Sequence, residues 1–363
     1  MGDSLVSKTI KIKSHKGEYT ADFIQGGMDE LNNNPIKDAI YIVDKKVAKL
    51  FSERLDNIFA CDRILQIEAL ESNKSLDKFP GYVDSLVELS VRRNQPLVAI
   101  GGGIIQDITC FLATTMMRGL PWFFYPTTLL SQADSCIGSK SSINSGELKN
   151  ILGTFTPPGN IVIDVDFLST LDIEEVCSGV GEMLKVHAID SPTSFDSISK
   201  DYENILKDKS VMERYIYNSL IMKKKLVEID EFDEGPRNVM NYGHSFGHAI
   251  ESATNFQIPH GIAVTMGMDM ANYVAKELGV SNIKHFKRMH SVMKKNYISY
   301  QNIHINPDEL ICALEKDKKN TATQLRLILP NVKGMINIGL YDNDYHFKEI
   351  IKSYFSDVMG YAI

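Results

Sequence analysis

No stretch of this sequence stays apolar for the roughly 18 to 20 residues that a membrane-crossing helix needs, which excludes a helical membrane span. The opening residues, Met1 to Leu5, have no basic segment running into an apolar one, so no secretory signal is expected. Cysteine is sparse and ungrouped. Cys61, Cys110, Cys136, Cys177 and Cys312 are odd in number, and no two have the spacing of a metal site or a redox motif. Free thiols in a reducing cytoplasm are therefore expected. A basic excess is missing as well. The net charge is −7, so neither nucleic acid nor an anionic membrane is an expected partner. Internal repeats, low-complexity tracts and long linkers are also absent.

What is present is an ordinary globular composition, 44% hydrophobic and 23% charged. The 363 residues exceed what one core usually takes, so two domains are expected. Short β-like runs alternate with helical patterns in the first half: Ala39 to Val43, Leu97 to Ile100, Trp122 to Tyr125 and Ile161 to Ile163. Such alternation predicts an α/β domain with a parallel sheet. From about Leu171 long helical patterns dominate through Phe355. The expected division is residues 1–171, an α/β dinucleotide-binding domain, and 172–363, a mainly helical metal- and substrate-binding domain.

Gly101-Gly102-Gly103 follows a strand run and opens a predicted helix from about Ile104 to Met117, with Asp107 expected in its first turn. Glycines there let the backbone approach a phosphate, and the free N–H groups of a helix start favour an anion. Asp44, ending an earlier strand, is placed to accept hydrogen bonds from a ribose. The full Gly-x-Gly-x-x-Gly pattern is missing, so a tight turn without ligand is the alternative.

Three of the nine histidines, His244, His248 and His260, fall within 17 residues. His244 and His248 share a helix face at i, i+4, and imidazoles are common metal ligands. The zincin glutamate after the first histidine is lacking, and a pair of core or surface histidines fits the same spacing. Glu182 sits in a mostly apolar segment where a lone carboxylate is costly, which makes it a candidate metal ligand. Lys185, on the same face, makes a surface Glu–Lys pair the alternative.

An anionic substrate on a chain of −7 requires a local cluster of cations. Lys223 lies on an apolar stripe with Ile216, Leu220 and Val227, so it either reaches a site or snorkels to solvent. Arg118 ends the helix after the glycine loop, where a cation is favourable in any case. Lys140 and Lys149 flank the Ser/Gly-rich stretch from Ser139 to Gly146, which reads as a loop. Arg237 precedes Asn241 by one helical turn. Each alone reads equally as surface charge.

Together these segments resemble 3-dehydroquinate synthase and the wider sugar phosphate cyclase family. The resemblance rests on residues 101–107, Arg118-Gly119, residues 126–130, residues 134–140, Lys149-Asn150, residues 182–185, Arg237 through His248, and Pro259-His260-Gly261, and it spans about residue 39 to 330. It implies NAD and a divalent metal, zinc or cobalt, with Glu182, His244 and His260 as metal ligands. His248 matches a phosphate-contacting or proton-handling position instead. Asp134, Lys140, Lys149, Asn150, Lys185, Lys223, Arg237 and Asn241 match substrate-site positions. Lys318, or Lys319 by a one-residue slip, matches a late basic one. Arg118 matches an arginine that reaches the neighbouring subunit's site, which implies a homodimer. NAD contacts are matched by Asp44, Glu71, Lys74, Gly102, Gly103, Ile104, Asp107, Thr127, Thr128, Leu130, Phe167, Thr170, Leu171 and Glu175.

The implied reaction converts 3-deoxy-D-arabino-heptulosonate 7-phosphate to 3-dehydroquinate and phosphate by transient oxidation with NAD, phosphate elimination, re-reduction and aldol closure. Gln106 and Ser139 stand where the family pattern has glycine, and residues 146–148 replace a Pro-Leu-Gly-like run. These departures favour a specialised cyclase for an amino-analogue or sedoheptulose 7-phosphate. Asn241 and His248, at positions where sedoheptulose cyclases diverge, keep synthase-like residues and favour the heptulosonate. A metal-dependent NAD polyol dehydrogenase has no need of so large a cationic set. A binding protein without catalysis has no need of the intact metal set.

Overall fold

The computed structural model describes residues 8–146, 148–317 and 320–360. Lys318 and Lys319 lie outside the described residues. The chain divides into two compact units: Met1–Asp172 with Lys223–Asp233, and Ile173–Met222 with Glu234–Ile363.

The first unit contains strands β1 (Lys8–Ser14), β2 (Gly17–Phe23), β3 (Ile40–Asp44), β4 (Ile64–Ile67), β5 (Leu97–Gly101), β6 (Trp122–Pro126), β7 (Lys140–Ser145), β8 (Leu148–Phe155) and β9 (Asn160–Ile163). Its helices are α1 (Gly27–Asn33), α2 (Lys45–Leu50), α3 (Asp56–Phe59), α4 (Phe79–Glu88) and α5 (Gly103–Thr115). Seven strands form one sheet in the order β1-β2-β9-β6-β5-β3-β4. Only the β1–β2 pair is antiparallel; the other neighbours run parallel. This is the α/β architecture that the strand pattern implies. All four runs read from the sequence are strands: β3, β5, β6 and β9. β5 is buried along its whole length, as expected where helices cover both faces of a parallel sheet. Tyr41, Val43, Val98, Ile100 and Phe167 pack there with Met28, Leu31, Val47 and Leu55.

Three local expectations change. The stretch Ser139 to Gly146 is not a loop: β7 and β8 pair antiparallel as a hairpin, Lys140 opposite Phe155. Asp107 lies in the second turn of α5, because the helix starts at Gly103. That helix stops at Thr115, and Met117 and Arg118 both take left-handed backbone angles, φ 52° and 66°.

The second unit holds α6 (Ile173–Asp190), α7 (Pro192–Ile205), α8 (Lys209–Ile229), α9 (His244–Ala253), α10 (His260–Glu277), α11 (Ile283–Tyr297), α12 (Pro307–Glu315) and α13 (Tyr345–Asp357), with an antiparallel pair β10 (Gln324–Pro330) and β11 (Ile336–Asp342). α10 is its axis, buried from Gly261 to Ala275. A helix apolar on all sides belongs in a core. Its one buried carboxylate, Asp269, accepts hydrogen bonds from the Tyr297 and Tyr354 hydroxyls at 2.7 and 3.0 Å. Gly181 of α6 and Gly261 of α10 meet backbone to backbone. A Cβ on Gly181 would overlap the Gly261 carbonyl oxygen, and one on Gly261 would overlap that of Ser178. Gly267 of α10 meets Gly243, which precedes α9, in the same way.

The last turns of α8 and the residues after it, from Lys223 to Asp233, pack with the first unit. Glu231 anchors them there, accepting from Ser14 Oγ at 2.6 Å and His15 N at 2.7 Å, with His15 Nδ1 at 2.9 Å. Burial raises the Glu231 carboxyl pKa, but the hydrogen bonds from Ser14 and His15 outweigh it and hold it at about 2. A depressed carboxylate stabilises the fold above its ordinary value near 4.5, and that stabilisation is lost as pH falls toward about 2. Glu231→Gln is expected to lower the thermal midpoint at pH 7 by about 3–6 °C. The gap to the parent should narrow below about pH 4.5 in a scanning-calorimetry series. An equal gap at every pH would refute the charge-based account.

Candidate active site

In the first unit the carboxyl ends of β3 and β5 lie side by side, Val43 in register with Ile100. The chain leaves β3 for β4 on one side of it, and β5 lies on the other. This is a topological switch point, the place where open α/β sheets bind ligands. Asp44 ends β3, and Gly101 to Gly103 join β5 to α5. Asp44 also caps α2, accepting from Lys46 N at 2.9 Å. A Cβ on Gly102 would come within 2.9 Å of the Thr128 methyl, so the glycine loop is packed directly on the segment after β6. Thr127 N donates to Gly101 O at 3.0 Å, which ties that segment to the loop. Leu130 leads into a π-helical turn, Ser131–Ser135. Phe167 and Thr170 belong to the 3-10 segment Val165–Thr170, with Leu171 next. Phe167 is fully buried core. Ile104 is half-buried in the first turn of α5. Glu175 lies on α6 of the second unit.

Lys74 and Asp107 form a buried junction beside this crevice. Lys74 Nζ donates to Asp107 at 3.0 Å and to Asn150 Oδ1 at 2.8 Å, and lies 3.7 Å from Glu71. Burial raises the Asp107 pKa, opposed chiefly by the Lys74 charge. Asn144 Nδ2 donates to Glu71 at 2.8 Å, and Asn150 N donates to Asn144 Oδ1 at 2.8 Å. The β7–β8 hairpin is thereby fastened to residues expected to contact the dinucleotide. It carries Lys140, Lys149 and Asn150, the last in a left-handed conformation at φ 53°. Lys140 Nζ donates to Asp233 at 2.5 Å, whereas Lys149 stands exposed on β8.

Lys223 does not snorkel to solvent. It is 7% exposed, and its ammonium lies 2.6 Å from Asp134 Oδ1 and donates to the Asp134 carbonyl at 2.6 Å. Its neighbours on the apolar stripe, Ile216, Leu220 and Val227, are buried as well. Asp134 sits on the π-helical turn. Arg118 is exposed.

In the second unit four groups converge. Glu182 of α6 is 2% exposed. Its Oε1 lies 3.7 Å from His244 Nε2 and 3.5 Å from His260 Nε2. Lys185 pairs with its Oε2. This is a buried pair rather than the surface pair that the sequence also allowed. The glycine contact between Gly181 and Gly261 explains the meeting, because Glu182 and His260 are their immediate neighbours. The ligand atoms of His244, His248 and His260 all lie within 4.8 Å of one another. Distance therefore does not set His248 apart, although it is the exposed member. Burial drives the His244 pKa well down, helped by the Lys185 charge, so its imidazole is neutral with a lone pair to offer. Burial also pulls His260 down, but the Glu251 hydrogen bond and the Glu182 charge more than offset it.

Glu251 was missed in the sequence. It lies 3.2 Å from His260 Nδ1. Its only local signal is a place three residues after His248, and its partner is across a turn. Arg237, 6% exposed, and Asn241 lie on the 3-10 segment Pro236–Asn241, and Asn241 Nδ2 donates to Asn238 O at 3.1 Å.

The sequence profile of the 3-dehydroquinate synthase N-terminal region matches residues 64–178, and that of the C-terminal region matches residues 179–320. The chain belongs to the 3-dehydroquinate synthase family. A 3-dehydroquinate synthase of Alkaliphilus metalliredigens is 33% identical over 302 residues, 82% of this chain and 85% of that protein. The fold is that of the sugar phosphate cyclases. A 2-deoxy-scyllo-inosose synthase solved with carbaglucose-6-phosphate, NAD+ and Co2+ superposes with TM-score 0.82 at 21% identity, covering 95% of this chain and all of that one. A 2-epi-5-epi-valiolone synthase from Streptomyces hygroscopicus subsp. jinggangensis, with NAD+ and Zn2+, gives 0.80 at 24% identity, covering 93% and 97%.

Breaking a buried ion pair by removing one partner costs about 3–5 kcal/mol, most of it from the charge left behind. Lys223→Met is expected to destabilise this family member by that amount in urea unfolding. Adding Asp134→Asn in the same chain should recover about half, since the abandoned carboxylate goes too. A single variant as stable as the parent would show that the pair is not structural.

Proposed function

We propose that this protein is a 3-dehydroquinate synthase that uses NAD and a divalent ion, zinc or cobalt, on 3-deoxy-D-arabino-heptulosonate 7-phosphate. The observation that carries the reading is the convergence of Glu182, His244 and His260 on one point. One carboxylate oxygen and two imidazole nitrogens fit a catalytic ion of that type, which keeps a coordination position for substrate. Glu251 supports the same reading. A carboxylate on His260 Nδ1 holds the proton there and turns the Nε2 lone pair toward Glu182. Family membership over both halves favours the synthase above a polyol dehydrogenase.

When bound, the ion supplies Lewis acidity toward a substrate hydroxyl, and the dinucleotide supplies reversible two-electron oxidation. The chain's own residues bind, orient and move protons. The glycine loop and the start of α5 take the pyrophosphate, with Asp44 on a ribose. Arg237, Lys140, Lys149 and Lys223 answer the negative charge of carboxylate and phosphate. Asn150 and Asn241 orient hydroxyls. Lys185 and Asp134 hold charge next to the reacting carbons, and His248, exposed beside the other imidazoles, handles phosphate or a proton. Most of the catalysis is positioning and charge stabilisation. The unpaired thiols suit a cytoplasmic enzyme.

We read the protein as a homodimer in which Arg118 serves the partner's site. Its left-handed backbone, next to that of Met117, is a strained conformation of about 1 kcal/mol or more per residue. Strain of this kind is kept where it aims a side chain at a function.

The deciding assay adds the heptulosonate phosphate with NAD and zinc. Phosphate release is expected, with 3-dehydroquinate identified by mass and no net NADH. A different cyclised product from a panel of sugar phosphates would assign a specialised cyclase, and stoichiometric NADH would assign a dehydrogenase. His260→Ala should lose metal and activity yet still bind NAD; full zinc occupancy in that variant contradicts the ligand assignment.

Mixing subunits tests the dimer. Arg118→Ala and His260→Ala proteins, each inactive, should regain about a quarter of parental activity after dissociation and reassociation, because half of the hybrid sites are intact. No recovery would place Arg118 in its own subunit's chemistry.

A further inference from the structure

Gln106 and Ser135 are joined by two reciprocal hydrogen bonds. Gln106 Nε2 donates to the Ser135 carbonyl at 2.8 Å, and Ser135 Oγ donates to Gln106 Oε1 at 2.7 Å. Gln106 is 5% exposed and stands on the first turn of α5 after the glycine loop, its N–H donating to Gly102 O at 3.0 Å. Ser135 is the last residue of the π-helical turn, directly after Asp134. The rest of that turn is tied to the same loop. Thr128 Oγ1 and Ser131 Oγ share a hydrogen bond at 2.8 Å, and Thr128 is the residue against which Gly102 packs. Gln132 Nε2 donates to the carbonyls of Pro126 at 3.0 Å and Asp164 at 2.8 Å.

We infer that Gln106 is a positioning residue for substrate binding: through Ser135 it registers Asp134, and with it Lys223, to the glycine loop. π-Helical turns are rare and occur frequently at functional sites. This one carries Asp134 at its fourth residue, so its register sets where the carboxylate stands. Lys223 is bound to both the carboxylate and the carbonyl of Asp134, so any displacement of Asp134 moves the ammonium as well. A glutamine uses donor and acceptor together here, which fixes its amide orientation and makes the link directional.

The inference rests on the reading of Asp134 and Lys223 as substrate-site residues, and the test separates the two. Gln106→Met keeps the volume and removes both hydrogen bonds. In the holoenzyme it is expected to raise KM for the heptulosonate phosphate about tenfold while NAD affinity stays within about twofold. Amide exchange over Ser131 to Cys136 should quicken about tenfold, a readout that needs no substrate. Ser135→Ala should reproduce the KM effect, and Ser135→Thr, which keeps the hydroxyl, should not. In an Asp134→Asn background, Gln106→Met should add less than about twofold, because the group it positions is already gone. A normal KM in Gln106→Met, or the same tenfold effect with Asp134 replaced, overturns the positioning role. Asp134→Asn with unaltered KM and kcat would instead sink the placement of Asp134 in the substrate site, and the role of Gln106 with it.

Discussion

The contact on which the metal-binding candidates depend is backbone against backbone. α10 is approached from one side by α6, at Gly181 and Gly261, and from another by the start of α9, at Gly243 and Gly267. No larger residue fits at these crossings, because a Cβ would overlap a carbonyl oxygen. Close approach of this kind shortens the distance between the side chains that flank each glycine. Glu182 follows Gly181, His260 precedes Gly261 and His244 follows Gly243, so the three candidate donors are set by the glycines beside them. The spacing of the site is thus a property of the helix packing rather than of the donors. Its rigidity comes from the burial of α10 from Gly261 to Ala275.

A similar logic holds in the first unit with different means. There the glycine loop, the π-helical turn and the β7–β8 hairpin are joined by side-chain hydrogen bonds rather than by helix crossings. Lys74 ties the hairpin to α5 through Asn150 and Asp107, and Gln106 ties the turn to α5 through Ser135. α5 is therefore the common reference for both elements. A helix is a good reference because its own backbone is satisfied internally and its first turn follows directly from the packed glycine loop.

Much of this was legible in the sequence, but unevenly. The parallel strands were legible because burial on both faces demands continuous apolar runs, as in Leu97 to Ile100. The hairpin was not. β7 is rich in serine, and the apolar residues of β8, Leu148, Ile151 and Leu152, are exposed, so neither strand alternates as a half-buried strand should. The burial of Lys223 was readable from its apolar neighbours at helical spacing, yet its partner Asp134 is 89 residues away and no local pattern encodes it. Glu182 was readable for the same reason as Lys223. Glu251 was not, because its role depends on His260 across a turn. The left-handed pair Met117 and Arg118 gave no signal, since neither is a residue that favours that conformation. Asp107 was placed in the first turn rather than the second because the helix begins one residue earlier than expected, at Gly103, whose lack of a side chain hid it from propensity.

The lysines of the candidate set come with their own counter-charges, on a chain whose net charge is −7. Four candidate lysines have a carboxylate within reach: in the first unit Lys74 with Asp107, Lys140 with Asp233 and Lys223 with Asp134, and in the second Lys185 with Glu182. Three of these lysines are buried, and a buried ammonium without a counter-charge is either neutralised or expelled. Each acidic partner therefore holds its lysine in place, and the four pairs together carry no net charge. An incoming anion must compete with an internal carboxylate at each position. A neutral polyol has nothing to offer in that competition, whereas an anionic ligand does. A preference for anionic over neutral ligands follows from such pairing, before any contact to a hydroxyl is counted.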